Sequence, residues 1–484
     1  MSLAAPRLID REQECRELQR LLEDGSPKLA LLTGRRRVGK TFLLTHAWGA
    51  REYFLFTASR VTGEANRHQF LKDLAAWSGE EIRGEDYPTW RTVFNLILDL
   101  KSPQPLVVVL DEFQYLAEDG NLAEVASELN AAWERKRPQR PLLLVLSGSA
   151  VNTMEGLAGG GAPLYGRFAW QHRLQPFTYW HAAELAPFAD PRDRATAYGV
   201  FGGTPRYLAA IDSQWSLAEN IQNLLLAPTG EVRTLVETAL DQEEGLRDVA
   251  KYRSILRAVA QGRTLRNEIA DVAGLENNHA FRLKLERLIE LGYLETHKNI
   301  DARASEPVRY YVADPAFRFY QRFVEPNTST LERYEPAHVW EQAVESHLDT
   351  YMGHEFERIA RQAYDRFATE LDLPLVEEWG RWEGKDRNGD SLEIDIVSPL
   401  LRGGILTGSI KWNRRPIGPD VHWTHLDMLE RAGRAGRKWA HRALEGDAPI
   451  LYVAAGGFTP AFNKTIEESE WPVALWTLRD IYRQ

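Results

Sequence analysis

Short apolar runs separated by helical patterns dominate the first third of the chain. "KLALLTG" (28–34), "YFLF" (53–56), "PLVVVLDEFQYL" (105–116) and "PLLLVLSGSAVNTM" (141–154) each contain at least four apolar residues in a row. Runs this short and without alternation predict strands covered on both faces, as in a parallel sheet. "KTFLLTHAW" (40–48) puts apolar residues at helical spacing directly after the first run. The recurring order predicts an α/β, doubly wound parallel sheet with its ligand at the carboxyl ends of the strands.

Further along the pattern changes. Residues 251–297 hold three helical patterns: the second, "LRNEIADVA", stops at Gly274, and the third repeats apolar residues at Phe281, Leu285, Leu288 and Ile289. "GYLETH" and "PVRYYVAD" (307–314) then predict a two-stranded ribbon, so the segment reads as a winged helix-turn-helix. An aromatic stretch (314–327) and a polar break "NTSTLERYEP" lead to a helical pattern bearing Glu355 and Glu357. "EEWGRWEGKDRNGDSLEIDIVSPL" (377–400) carries an Asn-Gly turn between two strand-like runs, a hairpin signal, and "GGILTGSIKW" (403–412) reads as a further strand. The expected organisation is a core over 1–210, a helical lid or connector over 211–247, a winged helix over 248–314, a linker over 315–338 and an α/β domain over 339–484.

Composition narrows the class. A chain of 484 residues exceeds what one hydrophobic core usually fills. Hydrophobic residues at 44% and charged residues at 26% are ordinary for a globular protein and argue against disorder. A net charge of −10 excludes coating nucleic acid by bulk charge, leaving only regional contact; residues 251–300 carry nine Lys or Arg against six Asp or Glu. Cys15 is the sole cysteine, which excludes an intrachain disulfide and a zinc site of several thiolates, and fits a reducing compartment. "MSLAAPRLID" lacks a basic start followed by a long apolar run, and no stretch reaches the roughly 18 apolar residues that spanning a membrane needs. The expectation is a cytoplasmic protein without a membrane partner.

Between the first strand and helix lies Gly34-Arg35-Arg36-Arg37-Val38-Gly39-Lys40-Thr41, followed by Phe42, and it fits G-x-x-x-x-G-K-[ST] at each defined position. The glycines let backbone N–H groups curl around phosphate oxygens, and the helix N-terminus adds partial positive charge. Lys40 is expected on the β- and γ-phosphates of ATP, with the Thr41 hydroxyl on Mg²⁺. Asp111, at the tip of the second buried strand, is expected to hold Mg²⁺ as well, and Glu112 to polarise the attacking water. Ser147 and Ser149 end the third run, where they either sense the γ-phosphate and orient water or form an ordinary small-residue turn.

With those motifs in place, the first 210 residues resemble the archaeal-type AAA/STAND branch of P-loop ATPases. "LIDREQECRELQRLL" (8–22) is similar to that family's opening helix, implying that Arg11 lies near the base, although Asp10 stands where the family has glycine. "GGAPLYGRFAWQHRLQPF" (160–177) resembles its segment with a candidate arginine finger, here Arg167, the other reading being a surface arginine paired with a carboxylate. "GGTPRYL" (202–208) matches its glycine-x-proline element, implying that Pro205 packs by the adenine.

The last third resembles the restriction-endonuclease-like domain, formerly of unknown function, that follows the ATPase and winged helix in the same family. That fold's chemistry implies an aspartate, here Asp395, an acid two residues before a lysine, here Lys411, and a helix glutamate, here Glu357. The middle position is Ser409, a neutral and weaker ligand for Mg²⁺ than a carboxylate, so the domain reads as degenerate. Glu393 shares the strand face of Asp395 as a substitute acid; alternatively, Asp395 and Lys411 form a structural ion pair. For the winged helix, a DNA-binding reading puts Asn277, Asn278, His279 and Arg282 against base edges, while the alternative is a packing module.

The expectation is an ATPase acting as a STAND-type switch, with ATP and ADP, Mg²⁺, and DNA, a protein or a second copy of the chain as partners. Two alternatives remain: an ATP-gated nuclease in defence or DNA processing, and a winged-helix DNA-binding regulator.

Overall fold

A computed structural model describes residues 8–23, 25–101, 105–117, 121–136, 141–243, 246–302 and 306–483. Most of "MSLAAPRLID" lies outside the described residues. The chain forms two compact units: one runs up to Pro176 and includes Thr204–Arg206, the other holds Phe177–Gly203 and everything from Tyr207 onward.

The first unit is built on strands β1 (Lys28–Thr33), β2 (Phe54–Thr57), β3 (Leu106–Asp111), β4 (Leu142–Gly148) and β5 (Phe168–Arg173), in the order β2-β3-β4-β1-β5. All four pairings are parallel. The apolar runs are sorted by strand alternation. Leu29, Leu31, Val108, Leu110, Leu144 and Leu146 join one core, and Ala30, Leu32, Val107, Val109, Leu143 and Val145 join another on the opposite face. Helices α1 (Glu12–Glu23) and α2 (Lys40–His46) cover the second face through Leu18, Leu22, Leu43 and Leu44. Helices α3 (Gly63–Ser78), α4 (Trp90–Asp99) and α5 (Leu122–Lys136) cover the first through Phe70, Leu74, Phe94, Ile97 and Leu129. This is the P-loop α/β fold. The edge strand β5 is half-exposed along its length, which is why its apolar signal is weak in the sequence.

In the second unit, helices Val249–Ala260, Arg266–Ala273 and His279–Glu290 are followed by an antiparallel ribbon of β6 (Leu294–His297) and β7 (Arg309–Val312). Gly274 ends the middle helix at φ +66°, a conformation glycine adopts without strain. A hairpin of β8 (Trp382–Lys385) and β9 (Ser391–Ile394) turns through Asn388-Gly389, with Gly389 at φ +90°. The last sheet orders β10 (Ile396–Pro399), β11 (Ile405–Lys411), β12 (Ile450–Ala454) and β13 (Val473–Thr477) side by side, with β10 antiparallel and the rest parallel.

Two stretches differ from expectation. Residues 177–203, assigned to the first core from sequence, belong to the second unit. There the Tyr351 hydroxyl donates to the Gly199 carbonyl at 2.9 Å, and a Cβ on Gly199 would run into Met352. The stretch 315–338, expected as a linker, is packed: Phe317, Phe319, Phe323, Val324 and Leu331 are buried, and Phe317 stacks edge-on against Tyr293 at 4.8 Å.

The ribbon's far end is built into the last domain. Asn299 exchanges hydrogen bonds with the Glu383 backbone at 2.7 and 2.9 Å, Ile300 packs on the core around Trp382, and Asp301 accepts from Arg437 and Trp439. No helix among the described residues is long and apolar enough to cross a membrane.

Candidate nucleotide site

The register β3-β4-β1 puts the carboxyl ends of the three central strands side by side, and each delivers polar residues there. After β1 the loop Gly34–Thr41 turns back into α2. Gly34 is required for space as well as conformation: a Cβ there would sit 2.8 Å from the Leu174 carbonyl oxygen. Gly39, at φ +93°, leads into α2, and a Cβ on it would lie 3.9 Å from Pro205, so Pro205 borders the loop. Arg37 adopts φ +71° within the same turn.

Lys40 is 5% exposed, and its ammonium donates to the carbonyls of Gly34 and Arg35 at 2.9 and 3.1 Å. These two carbonyls are neutral acceptors, which bind an ammonium less strongly than an anion does. The Thr41 hydroxyl donates to Asp111 Oδ2 at 2.6 Å, joining the loop to the tip of β3. Among the described residues no group of three or more His, Cys, Asp or Glu could hold a metal ion. A hydroxyl and one carboxylate are nevertheless hard oxygen donors of the kind Mg²⁺ uses when phosphates and water complete its shell, so these residues fit a cation that arrives with nucleotide.

Glu112 follows at φ +52°. Its Oε2 accepts from the Ser149 hydroxyl at 2.6 Å and from Gln114 Nε2, while its N–H donates to Asp111 Oδ1 at 3.0 Å. Ser149 and Glu112 therefore meet across β3 and β4. The neighbouring Ser147 hydroxyl is fully buried without a hydrogen-bond partner, so of the two serines only Ser149 touches the acid.

Other expected residues make contacts of their own. The Arg11 guanidinium donates to the Gln175 carbonyl at 2.8 Å and pairs with Glu14. Asp10, standing where the resembling family has glycine, adopts φ +46°, a conformation that explains why glycine suits the position. Phe42 stacks on His46 at 4.0 Å and Val38 is buried. Arg167 donates to Asn130 at 3.1 Å and pairs with Glu134, both on α5.

A second cluster gathers in the last domain. Asp395, between β9 and β10, accepts on Oδ2 from the Ile410 N–H at 2.8 Å, the Lys411 ammonium at 3.2 Å and the Ser409 hydroxyl at 3.3 Å. Glu357, on the helix Glu345–Phe367, pairs with Arg361, which also reaches the Asp395 carbonyl at 3.4 Å. Burial pushes the Glu357 carboxyl up to about 7; the negative charge of Asp395 adds to the rise, and Arg381 and Arg361 oppose it. Glu393 is engaged with Arg381. The four expected residues come together, but one acceptor oxygen already serves three donors and the second acid is missing, so the cluster does not fit a Mg²⁺ site. Sequence reasoning missed His425, fully buried, whose Nε2 lies 3.0 Å from the Thr407 hydroxyl and which burial holds down at about 4. Its spacing of three from the buried His422 was the available signal.

On the helix His279–Glu290, Asn278 caps the first turn by accepting from the Phe281 N–H at 3.1 Å. Asn277 and His279 are exposed, and Arg282 leans on His279 and Glu286.

Comparison with known proteins agrees with this geometry. Residues 8–211 match a family described as an ATPase domain predominantly from Archaea, and residues 320–419 match one described as archaeal and bacterial proteins of unknown function. An uncharacterized protein of Methanocaldococcus jannaschii is 25% identical over 396 residues, covering 81% of this chain and 84% of its own length. Among solved structures, a Walker-type ATPase of Pyrococcus abyssi is 23% identical with a TM-score of 0.47, over 65% of this chain and 96% of that one. The ORC2 protein of Aeropyrum pernix, in ADPNP–ADP complexes, is 16% identical with a TM-score of 0.44, over 69% and 97%. On the family match and the geometry of its strand ends, residues 8–211 form an archaeal-type P-loop ATPase domain, and residues 320–419 belong to a domain shared with archaeal and bacterial proteins of unknown function.

Proposed function

We propose that the chain is a STAND-type switch in which bound nucleotide in the first unit sets the state of the second. The observation that carries this reading is the convergence of Lys40, Thr41, Asp111, Glu112 and Ser149 on the ends of three adjacent strands. In this reading the N–H groups of residues 34–42 wrap the phosphates, and Lys40 leaves its two carbonyls for the β- and γ-phosphates. Thr41 and Asp111 are the residues that would hold Mg²⁺, which when bound supplies charge neutralisation at the phosphates. Glu112 accepts a proton from the attacking water, and Ser149 fixes the carboxylate's orientation. Pro205 borders the adenine pocket, Arg11 supports its rim through Gln175, and Arg167 serves a neighbouring copy. Equilibrium between two states shifts only if ATP and ADP bind them with different affinity.

A connector over 211–247, a winged helix over 248–314 and a last domain over 339–484 belong to this proposal, as does a cytoplasmic location. The winged helix serves as a packing module, supported by the ribbon's attachment to the last domain. The restriction-endonuclease-like domain serves as a binding module, supported by Lys411 lying on Asp395 and by Ser409 in the acid's position. The test is Lys40→Ala: loss of both ATP binding and hydrolysis is expected, and retention of both would end the reading. Incubating the chain with DNA or RNA and Mg²⁺ or Mn²⁺ tests the nuclease alternative, since cleavage lost in Asp395→Ala would replace the binding role with a catalytic one. DNA binding that weakens in Arg282→Ala would favour the regulator.

A further inference from the structure

One arrangement beside the phosphate loop was not singled out by any motif. The tight turn Phe113–Leu116 follows the acidic tip of β3, and its Tyr115 hydroxyl is where three loops meet. Arg36, in the middle of the phosphate loop, donates to that oxygen at 2.5 Å. Arg60, on the loop after β2, donates to it through Nε at 2.8 Å, with its guanidinium 5.4 Å from the ring centroid. Asn66, 2% exposed, fixes the same junction from behind: its side chain exchanges hydrogen bonds with the Ser59 backbone, both at 2.9 Å, and donates to the Tyr115 carbonyl at 2.7 Å. The turn is also short-wired to the acid. The Tyr115 N–H donates to the Glu112 carbonyl at 2.9 Å, and the adjoining Gln114 donates through its side chain to Glu112 Oε2.

We propose that Arg60, together with Arg36, is a positioning residue that distinguishes a nucleoside triphosphate from a diphosphate and passes the difference to Glu112 through Tyr115 and Gln114. The inference rests on the nucleotide reading of residues 34–41. A guanidinium donating to a neutral phenol makes a weaker bond than one donating to a phosphate, where charge assists and two N–H groups engage in parallel. A terminal phosphate in the loop therefore draws the two guanidiniums off the hydroxyl, whereas a diphosphate, lacking that group, leaves them in place. With those two ties gone the turn Phe113–Leu116 shifts, Gln114 withdraws from Oε2, and the carboxylate of Glu112 is free to take a water. No covalent step is added; the pair governs when the acid becomes available.

The experiment uses the full chain, with ADP and a non-hydrolysable ATP analogue as binding probes and steady-state hydrolysis as a second readout. Arg60→Ala is expected to lower affinity for the ATP analogue by roughly tenfold, the size of one charge-assisted hydrogen bond, with ADP affinity within about twofold of the parent and no fall in kcat at saturating ATP, because the tie that restrains the turn is gone. Arg60→Lys should recover only part of the affinity, because a point charge lacks the planar fork. Tyr115→Phe removes the competing tie and should raise affinity for the ATP analogue relative to ADP. An unchanged ratio of ATP-analogue to ADP affinity in both Arg60→Ala and Tyr115→Phe overturns the inference. Lys40→Ala, run alongside, separates the two readings: if it loses both nucleotides while the Arg60 and Tyr115 variants keep the parent ratio, the nucleotide site stands and only this inference falls.

Discussion

Both clusters combine a lysine with an aspartate, Asp111 closing β3 in one and Lys411 closing β11 in the other, yet the two acids are engaged differently. In the first, the Lys40 ammonium donates to two carbonyls, while Asp111 accepts from the Thr41 hydroxyl on one oxygen and the Glu112 N–H on the other. In the second, Lys411 lies directly on Asp395, whose same oxygen also takes a backbone N–H and the Ser409 hydroxyl. The first acid divides two donors between its two oxygens, whereas the second gathers a lysine, a hydroxyl and an N–H on one oxygen. Having the residue types of a motif in place is therefore insufficient: what each polar atom already holds decides whether a metal or phosphate can enter.

Changes at the two sites should break this contrast by very different amounts. The largest effect belongs to Glu112→Gln, which removes the acceptor for the water's proton but not the phosphate grip; hydrolysis should fall by roughly 10² to 10⁴ with ATP binding retained, as steady-state rates and nucleotide titration would show. Asp111→Asn comes next, with the Mg²⁺ concentration needed for half-maximal hydrolysis rising by about tenfold or more. At the second site, Ser409→Glu restores the missing acid and should create Mn²⁺ binding, readable by calorimetry, where the parent shows none; failure would mean that Lys411 alone excludes the cation.

The smallest effect is on stability. Because the folded-state Glu357 carboxyl is raised from 4.5 to about 7, the folded chain binds this proton more tightly than the unfolded chain does. Its contribution is fully present below about pH 4.5 and is lost as pH rises through about 7. Glu357→Gln should therefore gain on the order of 1 to 3 kcal/mol relative to the parent at pH 8, shrinking toward pH 5, in denaturant titrations at the two pH values.

The sequence made the first site readable because its chemistry is local: glycine conformation, a lysine and a threonine within eight residues, and two fully buried strands whose apolar runs end in acids and serines. Gly34 follows β1, Gly39 precedes α2, Asp111 closes β3 and Ser149 follows β4. Contacts made across long separations were not legible. Arg60 and Tyr115 lie 55 positions apart and carry no joint signature. The strands β12 and β13 complete the last sheet from runs that no motif marked, and residues 177–203 join the second unit through close packing at Gly199 that no composition signal reveals. The stretch 315–338 read as a linker because its polar break is visible in sequence, whereas the burial of Phe319 and Phe323 depends on partners elsewhere.

The attachment of Asn299, Ile300 and Asp301 has a practical meaning for anyone dissecting the protein. A fragment ending near residue 314 would put an isoleucine into water and strip an aspartate of its arginine, while a fragment beginning after it would open a hole beside Trp382. Separate pieces would stick, aggregate or refold differently, so assays of the ribbon's neighbours belong on the intact polypeptide.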